Sequence, residues 1–139
     1  METINSLKKL DIIVDSYLKE ENPSKPILIW FKNNLILDSF RDKLLKCHKD
    51  VQRIYDIPSN LNTCPINSQR VLFHRYIGQM GEDCLKYCSD LASKNISVIY
   101  LANEYERKNS PHNLDDLFDV IDCQVKNVII LNHMFTGKY

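Results

Sequence analysis

Two short apolar runs in this sequence each end in side chains that could hold a ligand. The residues concerned are Lys32, Asn33, Asn34, Asn132 and His133. The first three follow the run I-L-I-W-F at residues 27–31, and the last two follow N-V-I-I-L at 127–131. Lysine supplies a positive charge, asparagine donates and accepts hydrogen bonds, and histidine titrates near neutral pH. We expect these five residues to line a cofactor-binding or ligand-binding crevice.

The run at residues 27–31 is the element on which this placement depends. Its five residues are apolar without interruption, and Pro26 and Lys32 bound it. A short, unbroken apolar run indicates a strand that is buried on both faces, as in a parallel sheet. Open α/β sheets bind their ligands at the carboxyl ends of such strands. We therefore predict that this run is the central strand of the sheet.

Helix and strand patterns alternate along the rest of the chain. They predict helices over 4–19 and 39–49, a strand over 51–57, a loop over 60–69, a helix over 68–94, a strand over 96–101, a helix from 111 and a strand over 127–131. This alternation predicts a doubly wound parallel α/β sheet of about four strands, with helices on both faces and an extra N-terminal helix. We assign residues 1–25 to that helix and its linker, and residues 26–139 to the α/β domain.

Two of these helices lead to specific packing predictions. In the first, one face carries Leu7, Leu10, Val14 and Leu18. We expect this face to pack against the sheet or its flanking helices. In the helix after Ser110, the residues expected to face inward are Leu114, Leu117, Phe118 and Ile121. We also expect the strand at 127–131 to form an edge of the sheet that the N-terminal helix or a second copy of the chain covers.

The composition excludes several classes of function. The three glycines, Gly78, Gly81 and Gly137, cannot form the glycine-rich turn of a dinucleotide-binding site or a P-loop. The formal net charge is zero, so we expect no direct nucleic-acid binding. No apolar run approaches the length of a membrane span, and we expect a cytoplasmic or nuclear protein with no membrane partner.

The cysteines are five in number and scattered, which does not indicate a disulfide framework. Cys84 and Cys88 are four residues apart and could share a metal with His74 or His133. No second close pair supplies further ligands, so we predict no metal site.

The region around the central strand resembles the photolyase/cryptochrome family. That family opens its N-terminal α/β domain with the pattern W-F-R-x-D-L-R-x-x-D-N. The matching residues here are Trp30, Phe31, Lys32, Leu35 and Leu37, with lysine for arginine. The family's second strand ends in an acidic residue and a proline, as Asp56 and Pro58 do. A helix pattern of the family resembles Arg70, Phe73, Ile77 and Leu91, and its small-residue-x-Pro-x-x-Leu step resembles Ser110, Pro111 and Leu114.

This resemblance covers residues 26 to 135 and implies the fold of the family's α/β domain only. In the family, FAD and the DNA-binding surface belong to a helical domain that follows. The α/β domain carries at most an antenna chromophore, such as a folate or a deazaflavin. An acidic residue contacts that antenna in several members, and His133 to Thr136 stand at this place here. We therefore expect no cofactor in this chain. The implied partners are a FAD-binding helical domain or a second copy of the chain.

Two hypotheses for the function follow. The first is a photolyase/cryptochrome-like α/β module, either a fragment of a longer flavoprotein or free-standing, that binds or assembles without catalysing a reaction. It would be related to light-dependent DNA repair or to blue-light reception, and the family's carbon–carbon lyase activity would need the helical domain. The alternative is a small Rossmann-like enzyme that binds a nucleotide or another ligand between Lys32 and His133.

Overall fold

The chain folds as a parallel sheet with helices packed on it. The computed structural model describes residues 1–23, 25–54, 66–74, 82–108 and 114–126. The strands are β1 (Glu2–Ile4), β2 (Ile27–Phe31), β3 (Gln52–Ile54), β4 (Arg70–His74), β5 (Ser97–Asn103) and β6 (Asp119–Cys123). The helices are α1 (Leu7–Leu18), α2 (Asn34–Cys47), α3 (Glu82–Ser93), α4 (Glu104–Lys108) and α5 (Leu114–Leu117).

The six strands form one sheet in the order β1-β6-β2-β5-β4-β3. Every neighbouring pair is parallel. The predicted α/β class and parallel sheet are confirmed, although the described residues already form six strands where about four were expected. Strands β5, β4 and β3 lie on one side of β2, and β6 and β1 lie on the other.

Strand β2 confirms the prediction for residues 27–31. All five of its residues are buried, and it pairs with β5 on one side and β6 on the other. Because successive side chains of a strand point to opposite faces, Ile29 and Phe31 join one core cluster while Leu28 and Trp30 join the other. The apolar run is continuous because both faces of this strand are covered.

The helices pack on both faces of the sheet. Helices α1 and α2 contribute to the cluster of Ile29 and Phe31, whereas α3 contributes to the cluster of Leu28 and Trp30. Helix α1 connects β1 to β2 and α2 connects β2 to β3, each step toward the β3 edge of the sheet. Helix α3 connects β4 to β5, a step in the opposite direction. Right-handed crossovers place helices on opposite faces when the direction of travel reverses, and this arrangement agrees with that rule.

Helix α1 packs as the sequence predicts. Its Ser6 N-cap accepts a hydrogen bond from the Lys9 amide. The inward face is formed by Leu7, Leu10, Val14 and Leu18, all of which are buried in the core cluster of Ile29 and Phe31. The prediction that this face packs against the sheet and its flanking helices is confirmed.

Tyr17 ties α1 to the start of β5. Its hydroxyl oxygen accepts a hydrogen bond from the Val98 amide at 3.0 Å and lies 3.1 Å from the carbonyl oxygen of Lys25. Burial, the largest influence, raises the pKa of the Tyr17 hydroxyl above its ordinary value. The hydroxyl therefore stays protonated and can donate to a main-chain carbonyl.

The predicted helix over 68–94 is wrong at its beginning. Residues Arg70–His74 form strand β4, and the helix in this region is α3, Glu82–Ser93. Val71 and Leu72 fit a helical repeat with Tyr76, but the short run V-L-F fits a buried strand equally well. These residues form a strand because they pair with β3 on one side and with β5 on the other. Arg70 and Phe73, which were matched to a helix pattern of the family, therefore lie in a strand.

The predicted helix after Ser110 is wrong in its later part. Among the described residues of this segment, Leu114–Leu117 are helical, whereas Asp119–Cys123 form β6, which lies between β1 and β2. Leu114 and Phe118 pack in one core cluster and Ile121 in the other, so these three face inward as predicted, but Leu117 is exposed. Strand β6 pairs on both sides, and this pairing outweighs the helical spacing of its apolar residues.

Other boundaries differ by a few residues. Strand β1 was not predicted, because the three residues Glu2–Ile4 are too short to show an alternating pattern. Helix α2 begins at Asn34, five residues before the predicted start at 39. The predicted strand at 127–131, the proline cap at 110–111 and part of the strand over 51–57 lie outside the described residues.

Candidate functional site at the carboxyl edge

The carboxyl ends of the six parallel strands lie along one edge of the sheet. Strands β2 and β5 are neighbours, but β2 continues into α2 on one face and β5 continues into α4 on the other. Such a divergence is the switch point at which open α/β sheets commonly bind ligands. Two groups of charged residues occupy the described part of this edge, one on each face.

The first group, the Arg107 network, consists of Lys32, Glu104, Arg107, Asp122 and Gln124. Arg107 Nη1 lies 3.1 Å from Asp122 Oδ1 and 3.6 Å from Glu104 Oε1. Lys32 Nζ lies 3.4 Å from the same Glu104 oxygen, and Gln124 Nε2 donates to Asp122 Oδ2 at 2.6 Å. The network thus links the ends of β2, β5 and β6 through side-chain contacts.

Trp30 lies beneath this network. The indole is only 3% exposed, and the guanidinium carbon of Arg107 is 5.8 Å from its ring centroid. This distance allows a cation–π attraction, which favours Arg because its planar group can lie over the ring. Arg107 therefore covers the end of the central strand and forms ion pairs with two carboxylates.

The second group, the Arg41 cluster, consists of Asp38, Arg41, Asp42 and His74. Arg41 is 7% exposed, and its guanidinium contacts Asp38 Oδ1 at 2.9 Å and Asp42 Oδ1 at 3.0 Å. Its Nη1 also lies 3.1 Å from Nδ1 of His74, the last residue of β4. A guanidinium only donates, so Nδ1 of His74 accepts and its ring proton lies on Nε2.

His74 is a weak base in this position. Burial, followed by the positive charge of Arg41, lowers its pKa from 6.5 to about 4. The ring is therefore neutral at pH 7, and Arg41 donates to its Nδ1 lone pair. A general base needs a pKa near the working pH and a lone pair that faces the substrate. The geometry of His74 suits a structural role better than proton transfer.

The five sequence-predicted residues have different outcomes. Lys32 lies at the switch point, where it pairs with Glu104. Asn33 is the N-cap of α2, and its Oδ1 accepts hydrogen bonds from the amides of Leu35 and Ile36. Asn34 is exposed in the first turn of α2. Asn132 and His133 lie outside the described residues.

The cap formed by Asn33 has a consequence for ligand binding. Phosphate groups at helix N-termini bind to the free main-chain amides of the first turn. Two of those amides in α2 already donate to Asn33 Oδ1. The start of α2 is therefore less suited to a phosphate than a glycine-rich turn would be, in agreement with the absence of that motif.

Sequence reasoning missed most of the two charged groups. Glu104 and Arg107 directly follow β5, so the argument that selected Lys32 could also have selected them. Asp122 and His74 were hidden because their strands were assigned to helices. Arg41 gave no signal, since an arginine within an amphipathic helix is ordinarily exposed.

The described residues contain no group of three or more histidine, cysteine or acidic side chains that could hold a metal. Cys47, Cys88 and Cys123 are not in disulfide bonds, and burial raises the pKa of Cys123. The side chain of Cys84 is not among those described, and Nδ1 of His74 contacts Arg41. The predicted absence of a metal at Cys84 and Cys88 therefore stays a prediction.

Comparisons with known proteins leave the family open. No family model matches the chain, and neither a curated protein nor a solved structure matches it. Within the described ranges, none of the helices has the length and apolar character needed to cross a membrane.

Proposed function

We propose that this chain is a non-catalytic binding and assembly module. The observation that supports this proposal is the pairing of charges at the switch point. Arg107 contacts Asp122 and Glu104, and Arg41 contacts Asp38 and His74. A catalytic site needs an acid, a base or a nucleophile directed at a substrate. Here the described acidic and basic groups are directed at one another across strand ends.

We also propose that the module is related to the α/β domain of photolyases and cryptochromes. Trp30 and Phe31 end the buried central strand, and Lys32 follows it, as the resemblance requires. A parallel α/β sheet with helices on both faces is compatible with this relationship. The resemblance implies assembly with a helical FAD-binding domain or with a second copy, and any link to DNA repair or light reception would depend on that partner.

A second candidate is a small nucleotide-binding or ligand-binding enzyme that uses the same edge. The partial exposure of Lys32 and Glu104, 27% and 31% for their side chains, favours this candidate. An anionic ligand could take the place of the Glu104 carboxylate beside Lys32. The chemistry would be expected at the divergence of β2 and β5.

Ligand-induced changes in melting temperature separate the two candidates. The purified chain would be heated with millimolar ATP, NAD or flavin mononucleotide, each added separately. The binding-module proposal predicts no saturable rise in melting temperature with any of them. The enzyme proposal predicts a rise that is lost in Lys32→Gln and retained in Lys46→Gln, a control at an exposed site on α2. Such a pattern would overturn the non-catalytic proposal.

A further inference from the structure

A groove lies at the end of the sheet where β2 and β6 begin. It has a volume of about 680 Å³ and lies beside the first residues of β2 and β6. Its apolar walls include Ile12 and Ile13 of α1, Met1, Phe118 and Val120. Pockets of a few hundred to about a thousand Å³ are large enough to hold a ligand or several side chains of a partner.

Two of these wall residues are unusually exposed for their type. Ile12 is 61% exposed and Met1 is 66% exposed, the highest values among the large apolar side chains of the described residues. Both side chains line the groove, so its walls carry exposed apolar surface. Exposed apolar surface that is rimmed by polar residues often marks a site of protein interaction.

One edge of strand β6 borders the groove. Strand β1 pairs with β6 from Ile121 onward, since Glu2 lies opposite Ile121. Asp119 and Val120 pair with β2 on their other side, and no described strand covers them on the β1 side. An extended peptide can form main-chain hydrogen bonds with such an edge while its side chains enter neighbouring pockets.

The rim of the groove is acidic. Its carboxylates belong to Glu2, Glu20, Asp115 and Asp119, and no lysine or arginine is among the described residues that line it. Two cations lie nearby. Lys25 Nζ contacts the main-chain oxygen of Asp115 at 3.3 Å, and Arg107, which pairs with Asp122, has its Nη2 3.7 Å from Met1 Sδ. Four carboxylates around an apolar floor favour a partner with positive charges on both sides of an apolar anchor.

We propose that this groove binds a basic segment of a partner protein. Apolar side chains of the segment enter between Ile12, Met1 and Phe118, and its lysines or arginines meet the four carboxylates. The charge complementarity selects this partner over an acidic peptide or an uncharged one. The inference rests on the proposed function, because it names the partner class of the binding module.

A synthetic peptide provides the direct test. The probe is a short fluorescein-labelled peptide in which two leucines are flanked by lysines, and its binding is followed by fluorescence anisotropy. We expect saturable binding that weakens as salt is added, because ions screen exposed charges. Two control peptides replace the lysines by glutamate or the leucines by serine. Each control should bind at least about tenfold more weakly.

Variants of the chain locate the binding site. Ile12→Lys places a positive charge in the groove and should weaken binding by at least about tenfold. Leu35→Lys changes a similarly exposed leucine, 57% exposed, at the carboxyl edge and should bind as the unmodified chain does. Asp115→Lys should weaken binding, whereas Asp90→Lys on α3 should not. Thermal melting of each variant shows whether it is folded.

Equal binding by Ile12→Lys and Leu35→Lys would overturn the proposal, as would tighter binding of the glutamate peptide. Absence of binding at peptide concentrations up to about 1 mM would also overturn it. None of these results would change the melting experiments with ATP, NAD and flavin mononucleotide. Failure of the groove and failure of the non-catalytic proposal are therefore distinguishable.

Discussion

Trp30 shows how a single residue can serve both the core and the edge of the sheet. Its ring is buried in the cluster shared with α3, and Arg107 covers its outer face. We predict that Trp30→Ala lowers the free energy of unfolding by about 3–5 kcal/mol, the usual cost of deleting a large buried aromatic side chain. Denaturant melts would measure this loss, and Trp30→Phe should lose less. A loss below about 1 kcal/mol would contradict the burial of Trp30.

His74 is the residue through which acid should destabilise the fold. Its pKa is about 4 in the folded chain and 6.5 when unperturbed, so between these values only the unfolded chain binds the proton. The free energy of unfolding should therefore be fully retained above pH 6.5 and fall as the pH decreases toward 4. The loss is at most about 3.5 kcal/mol, since each pKa unit corresponds to about 1.4 kcal/mol.

Chemical denaturation at several pH values would measure this effect. His74→Asn keeps an acceptor for Arg41 but cannot bind the proton, so its stability should fall less over the same range. His48→Asn is the control, because His48 pairs with Asp15 on the other side of α2 and should leave the His74 contribution intact. Identical pH profiles for the unmodified chain and His74→Asn would contradict the proposed cause.

At the scale of elements, β1 and α1 form part of the sheet and its core. Strand β1 pairs with β6, and the apolar face of α1 packs in the core cluster of Ile29 and Phe31. Removing residues 1–22 would expose this cluster and one side of β6. We predict that the truncated chain is less stable and associates or precipitates, because an exposed strand edge pairs readily with another chain.

Light scattering and thermal melting of the truncated chain would test the role of β1 and α1. Ile12→Ser is the matched control, since it changes an exposed residue of α1 without removing buried area. It should melt close to the unmodified chain. A truncated chain that is soluble, equally stable and unchanged in oligomeric state would show that β1 and α1 are dispensable.

The sequence predicts some elements well and others poorly, for physical reasons. Strand β2 is predictable because its burial on both faces produces an unbroken apolar run, and α1 because only one of its faces is buried. Strands β4 and β6 are not, because their apolar runs, V-L-F in β4 and V-I in β6, are too short to distinguish helical from extended spacing. Their identity depends on neighbours that are distant in sequence.

The same limit applies to the whole molecule and its candidate site. Lys32 was predictable because the residue after a buried strand lies at the carboxyl edge. Asp122 and His74, which contact Arg107 and Arg41, could be placed at this edge only once β6 and β4 were known. The strand order explains why: β6 lies beside β2 although about ninety residues separate them in sequence.

The resemblance to photolyases leads to a prediction for the whole chain. In that family FAD belongs to the helical domain, and the proposed relationship of residues 26 to 135 is to the α/β domain alone. We predict that the purified 139-residue chain is colourless and retains no flavin. Absorbance and fluorescence spectra of native protein would show this directly. A stoichiometric flavin spectrum would contradict the prediction.

The central claim is that the charges at the carboxyl edge stabilise the fold rather than act on a substrate. A double-mutant cycle with Arg107→Met and Asp122→Asn, read from the free energy of unfolding, tests it most directly. We predict that each single variant is destabilised and that the pair is coupled by about 1–3 kcal/mol. The control is the pair Arg70 and Asp50, in which the Asp50 side chain is 59% exposed against 11% for Asp122, and it should give less than about 1 kcal/mol. Variants that are more stable than the unmodified chain, as when strained active-site charges are removed, would contradict the account.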